Sequence, residues 1–158
     1  MKNKNLSFMT QAAMIAAIYV VLTYIFAPFS FGEVQVRISE ALTILPIFTP
    51  AAIPGLFVGC LIGNILGGAI LPDIVFGSIA TLIGAFFTWK LREQKPVVAT
   101  FPPIISNIII VPFVLRYGYG VTLPIPFMML TVGIGEVISC TVLGLIVYGA
   151  LKKYKSTL

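Results

Sequence analysis

Three ionisable side chains fall within one short stretch of a chain that otherwise carries few of them. Only five acidic and ten basic residues occur among the 158, and Glu33, Arg37 and Glu40 lie within eight positions. A carboxylate accepts hydrogen bonds and a guanidinium donates them, so this stretch has the chemistry to recognise a polar ligand. Arg37 and Glu40 can equally brace each other, and the sequence leaves both roles open.

A further carboxylate, Glu136, lies inside a long apolar segment near the end of the chain. An ionisable group at the centre of a membrane span costs roughly 2.5–3.5 kcal/mol on insertion scales, and it usually marks a site or a pathway. The alternative is a structural glutamate that is protonated or paired with arginine. We favour a role in binding.

Residues that carry catalysis are scarce. The chain has no histidine, and its two cysteines, Cys60 and Cys140, lie in apolar segments as expected of small packing residues rather than a disulfide or a zinc site. It contains no His-Glu-x-x-His motif, no Gly-x-Ser-x-Gly elbow and no phosphate-binding Gly-x-x-x-x-Gly-Lys-Ser/Thr loop. We therefore expect a binding protein without metal or cofactor, which is not an enzyme and depends on partners for energy.

The composition places the chain in a lipid bilayer. Hydrophobic residues make up 59% and charged residues 9%, with a mean hydropathy of +1.08. A water-soluble domain of this length cannot bury so much apolar surface, and long apolar runs favour helices over a barrel. The cations lie at segment ends, where they contact anionic lipid, so the net charge of +5 does not indicate nucleic acid.

Six helices are predicted in one domain that covers residues 1–158. The apolar run from Glu40 to Leu71 is too long for one crossing, and its prolines divide it near residues 49–52. With that division all the basic clusters lie on one side of the membrane, so the positive-inside rule predicts that both termini are cytoplasmic. We therefore expect a multi-pass protein of a prokaryotic plasma membrane. The predicted helices are Phe8–Pro28, Glu40 to about Thr49, Ala52–Leu71, Ile74–Lys90, Val97–Leu115, and one that starts near Pro124 or Pro126.

Small residues at a spacing of four mark two helices for close packing. The third helix carries four glycines on one face, and the first carries two pairs of alanines. From the residues alone we favour packing within the chain for both rows. The rows are Gly55, Gly59, Gly63 and Gly67 in the third helix, and Ala12 with Ala16 and Ala13 with Ala17 in the first.

The predicted topology puts most polar residues in the outer half of the bundle, where they can converge on a pocket that opens outward. Some of them also have an ordinary structural role open to them: Ser39 as a helix cap, Arg37 reaching to the interface, and Asp73 as a helix breaker after Pro72. The candidate binding residues are Gln35, Arg37, Glu40, Asn64, Asn107 and Glu136, with Asp73 at the same level.

These residues together resemble a known family. The stretch from Gln35 to Leu42, the alanine-rich first helix, the glycine row with Asn64, and Gly135 with Glu136 in the last helix are similar to the QueT family of queuosine-precursor transporters. Members are substrate-binding S components of energy-coupling factor (ECF) transporters. The resemblance covers nearly the whole chain, and its most specific part is the Gln-x-Arg-x-Ser-Glu pattern.

The resemblance implies a six-helix S-component bundle that captures a 7-deazaguanine, such as preQ0, preQ1 or queuine, from outside. Glu136 would accept the ring N1–H and the exocyclic amine, with Glu40 as the competing candidate, while Arg37 would reach only O6 because position 7 is carbon. Candidates for stacking on the base or for a lid are Phe29, Phe31, Tyr117 and Tyr119.

The implied partners are a transmembrane T component and two cytoplasmic ATPases, which would hydrolyse the ATP. In related S components the alanine row of the first helix meets the T component, so the resemblance implies docking at Ala12, Ala13, Ala16 and Ala17 and reverses the preference for internal packing. Alternatives are an S component for another vitamin or nucleobase, a membrane scaffold protein and, third, an intramembrane enzyme.

Overall fold

The computed structural model of the protein describes residues 2–30 and 36–154, and within them every regular element is helical. Helix α1 is followed by a short helical turn, Ala27–Ser30. Helix α5 begins with a separate turn, Pro96–Ala99, and ends in a π-helical segment, and α6 contains a π-helical segment at its centre. The helices are α1 (Lys2–Ile25), α2 (Ile38–Ile47), α3 (Ala52–Leu66), α4 (Leu71–Lys90), α5 (Pro96–Gly118) and α6 (Ile125–Tyr154).

Four of these helices, α1, α4, α5 and α6, are long and apolar enough to cross a membrane. The other two, α2 and α3, are shorter apolar helices of 10 and 15 residues. An all-α membrane bundle is therefore confirmed, with the division of the long apolar run where the prolines predict it. Because proline lacks an N–H group and restricts the residue before it, α2 ends at Ile47 and α3 begins at Ala52.

Helix α2 is the innermost element of the bundle. It is a 3₁₀ helix, which is narrower than an α-helix, and eight of its ten residues are buried. It packs against α1, α3, α4 and α6. The polar residues Ser39, Glu40 and Thr43 are thereby held inside the protein and away from lipid.

The glycine row of α3 brings its backbone directly against α1. A Cβ at Gly59 would lie 2.8 Å from Tyr19 Cβ and 3.1 Å from Ala16 Cα, and one at Gly55 would lie 2.8 Å from the Ala12 carbonyl oxygen. Gly63 approaches Thr23 in the same way, at 3.2 Å. The prediction of close helix contact is confirmed for these three glycines, while Gly67 is the C-terminal cap of α3.

The start of α1 and the end of α6 lie at the same end of the bundle. Thr49 Oγ1, between α2 and α3, donates a 2.7 Å hydrogen bond to Gln11 Oε1 in the first turns of α1. At this end the Phe48 and Tyr148 rings also meet, with centroids 5.5 Å apart. The basic residues at the end of α4 and in the tail of α6 share it, so the positive-inside rule makes it the cytoplasmic end.

We predict that Gly59→Ala destabilises the protein, because the new methyl group would overlap atoms of Tyr19 and force α1 away from α3. Overpacking of this kind costs about 1–3 kcal/mol. Thermal unfolding of the purified protein in detergent should show a lower midpoint. Gly149→Ala is the control, since a Cβ there meets no atom within 4 Å; equal midpoints for the two variants would contradict the prediction.

Candidate functional site

Glu40 lies at the centre of the bundle and is 1% exposed. Its Oε1 atom accepts a 2.6 Å hydrogen bond from the Tyr19 hydroxyl of α1, and Thr43 Oγ1 donates to the Glu40 carbonyl oxygen at 2.6 Å. Its Oε2 atom is buried and has no hydrogen-bond partner among the described residues. One oxygen of this carboxylate is thus held in place, and the other keeps its capacity to accept a hydrogen bond.

Glu136 occupies a similar position on α6 and is 2% exposed. Its Oε2 atom accepts hydrogen bonds from Asn107 Nδ2 of α5 at 3.0 Å and from Cys140 Sγ at 3.2 Å. Cys140 is four residues further along α6, in the π-helical segment Val137–Leu143 that follows Glu136 directly. Such π-helical turns within longer helices are frequent at functional sites.

The bundle brings the two carboxylates together. One oxygen of Glu40, one oxygen of Glu136 and Cys140 Sγ all lie within 4.8 Å of one another. Two buried carboxylates at this distance repel each other when both are charged, so the pair favours hydrogen-bond donors, a proton or a cation between them. These three side chains have the atoms to ligate a metal ion, although Cys140 already donates to Glu136.

A second polar group closes the end of the bundle opposite the basic clusters. Arg37, at the start of α2, forms a 3.8 Å ion pair with Asp73 in the first turn of α4. The Tyr119 hydroxyl donates to Asp73 Oδ2 at 2.7 Å and accepts from the Ile70 N–H at 3.4 Å. Partial burial and, secondarily, the bond to Asp73 raise the pKa of Tyr119 to about 12, so the phenol remains a donor at physiological pH.

Three of the ordinary structural roles considered for these residues are wrong. Arg37 is 5% exposed and pairs with Asp73, so its side chain is buried in the protein instead of reaching along the surface toward water. Ser39 provides no side-chain cap for α2 and instead accepts a 2.9 Å hydrogen bond from Thr23. Asp73 lies inside the first turn of α4, which already begins at Leu71, and so does not break a helix.

Asn64 connects α3 to the outer group. It is 1% exposed, and its Nδ2 atom donates to the Asp73 carbonyl oxygen at 3.4 Å and to Cys60 Sγ at 3.6 Å. Its Oδ1 atom is buried without a hydrogen-bond partner in the described part of the chain. The expectation that this amide faces the protein interior is confirmed.

The remaining candidates are placed differently. Tyr119 belongs to the outer group, whereas Tyr117 is 78% exposed and stacks on Phe113 at the surface groove between α4 and α5. Gln35 and Phe31 lie outside the described residues, as does the side chain of Phe29.

The alanine rows of α1 divide between two faces. Ala16 is buried and Ala12 is half-buried, and both contact the glycine row of α3. Ala13 and Ala17 are exposed on an adjacent face, about 100° around the helix. Only Ala13 and Ala17 therefore offer a free surface to another protein.

Three residues of this site did not emerge from the sequence: Tyr19, Cys140 and Ser139. Tyr19 is an aromatic residue in an apolar helix and gives no separate signal there. Cys140 and Ser139 follow Glu136 by four and three residues, so helical spacing alone would have placed them near its carboxylate. Ser139 Oγ is buried and has no hydrogen-bond partner among the described residues.

A bundle of long apolar helices around a cluster of buried polar residues defines a multi-pass protein of the cell membrane. This class includes carriers and their binding subunits. The chain belongs to the QueT transporter family, whose family model matches residues 9–153.

A curated relative is the queuosine precursor transporter QueT of Lactococcus lactis subsp. cremoris (strain MG1363). The two sequences are 33% identical over 84 residues, which is 52% of this chain and 48% of the relative. The matching part thus spans about half the length of that protein. No solved structure matches the chain.

We predict that Tyr19→Phe destabilises the protein, because Glu40 Oε1 would be buried without its hydrogen-bond donor. The loss of one partner from a buried polar pair costs about 1–3 kcal/mol. Thermal unfolding in detergent measures the change. Tyr24→Phe on the same helix is the control, since Tyr24 is 65% exposed, and an unfolding midpoint for Tyr19→Phe equal to that of Tyr24→Phe would rule out the contribution of this bond.

Proposed function

We propose that the chain is the substrate-binding S component of an ECF transporter and binds a queuosine precursor, a 7-deazaguanine such as preQ0, preQ1 or queuine. The membership of the QueT transporter family and the name of the curated relative support the substrate class. One structural observation carries the proposal. Glu136 is a buried carboxylate within a membrane-spanning helix, fixed by two donors and adjacent to a second carboxylate.

The chemistry of the ligand matches this carboxylate. A 7-deazaguanine presents its ring N1–H and its exocyclic amine side by side, and a carboxylate accepts both in bidentate fashion. Asn107 and Cys140 hold Glu136 Oε2 from the side and limit its rotation. Position 7 of the base is carbon and accepts no hydrogen bond, so on the edge that positions 6 and 7 form Arg37 would donate to O6 alone.

The ligand would arrive from the outside. The ion pair of Arg37 with Asp73 and the hydrogen bond from Tyr119 join α2, α4 and the connection between α5 and α6 at the end opposite the basic clusters. Arg37 lies at the N-terminal end of α2 and Glu40 follows it, so these contacts lie nearer than Glu40 to this end of the bundle. Opening them would admit a ligand to the carboxylates, and re-forming them would enclose it.

Energy for uptake would come from partners, because the sequence has no phosphate-binding loop of its own. We propose a T component and two cytoplasmic ATPases for that role. Helix α1 offers the docking surface: its Ala13 and Ala17 are exposed and small, which lets another helix approach closely. Ala12 and Ala16 are occupied by the contact with α3 and are not part of this proposed surface.

We predict that Glu136→Gln loses most of the affinity for a 7-deazaguanine, because one acceptor oxygen is replaced by an NH2 donor and the negative charge is removed. Hydrogen bonds to charged groups contribute about 1.5–3 kcal/mol, so a loss of 10-fold or more is expected. Isothermal titration calorimetry of preQ1 into the purified protein measures it. Glu93→Gln, at an 81% exposed position, is the control.

Binding that is unchanged in Glu136→Gln would remove this residue from the site. Saturable binding of a flavin or pterin without binding of preQ1 would support an S component for a different vitamin or base. A protein that binds none of these ligands and tolerates neutral replacements of both Glu40 and Glu136 would instead be a membrane scaffold.

We predict that Ala17→Trp abolishes co-purification with the T component while ligand binding persists, because the indole would fill the space that a partner helix must enter. Co-expression of the four subunits followed by affinity capture of the S component measures assembly. The control is Ala150→Trp, which places the same side chain at an exposed alanine of α6. Normal assembly of the Ala17→Trp protein would exclude docking at this face.

A further inference from the structure

We propose that Glu40 and Glu136 together hold the exocyclic 2-amino group of the bound base, so that this amine decides which ligands the site accepts. The inference rests on the proposed function and extends it: the two carboxylates are partners in one contact and do not compete for the same role. It depends on the distance between the two carboxylates, on the unpartnered Oε2 atom of Glu40 and on the hydrogen bonds that neighbouring side chains already donate to both residues.

The separation fits an amine. Oxygens of Glu40 and Glu136 lie within 4.8 Å of each other. The two N–H bonds of an amine attached to an aromatic ring diverge by about 120°, and each reaches an acceptor at about 2.8–2.9 Å, so ideal geometry places the two acceptors about 5 Å apart. The carboxylate oxygens lie no further apart than 4.8 Å, so both hydrogen bonds would be bent slightly inward. A single nitrogen placed between the carboxylates would therefore donate one hydrogen bond to each.

The unpartnered oxygen of Glu40 points to the same group. Tyr19 occupies Glu40 Oε1, which leaves Glu40 Oε2 buried and without a partner in the described chain. Asn107 and Cys140 both donate to Glu136 Oε2. Buried acceptors that lack donors are costly, and the described residues supply none for Glu40 Oε2. A ligand that brings a donor to Glu40 Oε2 satisfies this need, and a second hydrogen on the same ligand atom can be donated to Glu136.

Neighbouring atoms add a third contact. The ring N1–H of a guanine-like base lies beside the 2-amino group, so a carboxylate that accepts one amine hydrogen can also accept N1–H. Ser139, one helical turn after Glu136, adds a buried hydroxyl with no partner among the described residues. Its hydroxyl can donate to the ring nitrogen N3 on the other side of the amine.

This arrangement predicts that the site strongly prefers bases that carry the 2-amino group over bases that lack it. A base with hydrogen in place of the amine leaves Glu40 Oε2 without a donor. A base with a carbonyl group at that position directs one more acceptor at the two carboxylates. Sites built around buried polar groups reject ligands that leave them unpaired far more strongly than apolar pockets reject a change in size.

The test compares 7-deazaguanine with 7-deazahypoxanthine, which lacks only the 2-amino group, by calorimetry on the purified full-length protein. For the unmodified protein, loss of the amine should weaken binding about 100-fold or more, as expected for two hydrogen bonds to carboxylates. In Glu40→Leu, which removes one acceptor, the difference between the two ligands should shrink about 10-fold. The control variant Glu93→Gln should retain the full difference in affinity between the two ligands.

The outcomes separate this inference from the proposed function. If neither ligand binds the unmodified protein, both are overturned. If both ligands bind with similar affinity, the proposed function survives and the amine contact is overturned. If a Glu40→Leu protein that thermal unfolding shows to be folded keeps the full difference in affinity between the two ligands, Glu40 does not contact the amine.

Two further measurements cover misfolding of the variant and metal binding between the carboxylates. If Glu40→Leu does not fold, Glu40→Gln is used in its place. The difference in affinity between the two ligands should then shrink by a smaller factor, but in the same direction. Loss of 7-deazaguanine binding in the presence of EDTA, with recovery on addition of Zn²⁺, would show a metal ion between the carboxylates and overturn the direct contact.

Discussion

Three of the five acidic side chains of this protein, those of Glu40, Asp73 and Glu136, are buried inside a bundle that is surrounded by lipid. A carboxylate in such an environment is tolerated only when donors or cations from the protein surround it. Each donor must come from a helix that is positioned for the purpose: Tyr19 from α1, Asn107 from α5 and Arg37 from the start of α2. The need to satisfy these carboxylates thus constrains how the helices are arranged.

The glycines of α3 make one of these contacts possible. Gly59 lets the α3 backbone lie against Tyr19 Cβ, so that α1 approaches closely enough for the Tyr19 hydroxyl to reach Glu40 on α2. The 3₁₀ form of α2 contributes in a related way, because a narrow, short helix fits between its neighbours and carries Ser39, Glu40 and Thr43 into the interior. Small residues and prolines, which carry no polar side chain of their own, therefore position the buried polar residues of the candidate site.

The sequence predicts the parts of this fold that depend on local chemistry. Proline positions locate the division between α2 and α3, apolar runs locate the long helices, and the glycine spacing predicts the close contact of α3. The pairings across the bundle depend on tertiary packing, which local patterns do not encode. Tyr19 and Glu40 are 21 residues apart and Asn107 and Glu136 are 29 apart, and no spacing rule connects them.

The same limit applies to the faces of a helix. The two alanine pairs of α1 are equivalent in spacing, yet one contacts α3 and the other is exposed. Only the position of α3 distinguishes them. Likewise Arg37 and Ser39 each have an ordinary local role available at a helix start, and each instead bonds to a partner on another element.

Helix α1 has two faces that the proposed assembly would use together. Tyr19 and Thr23 point inward and bond to Glu40 and Ser39 of α2, while Ala13 and Ala17 are exposed outward on the same helix. Since the α3 glycines hold α1 by direct backbone contact, a displacement of α1 by a partner must either carry α3 along or stretch the bonds to α2. Docking at the outer face would then change the free energy of ligand binding at Glu40. Because coupling between two binding sites is reciprocal, occupation of the Glu40 site would change the affinity for the partner by the same factor.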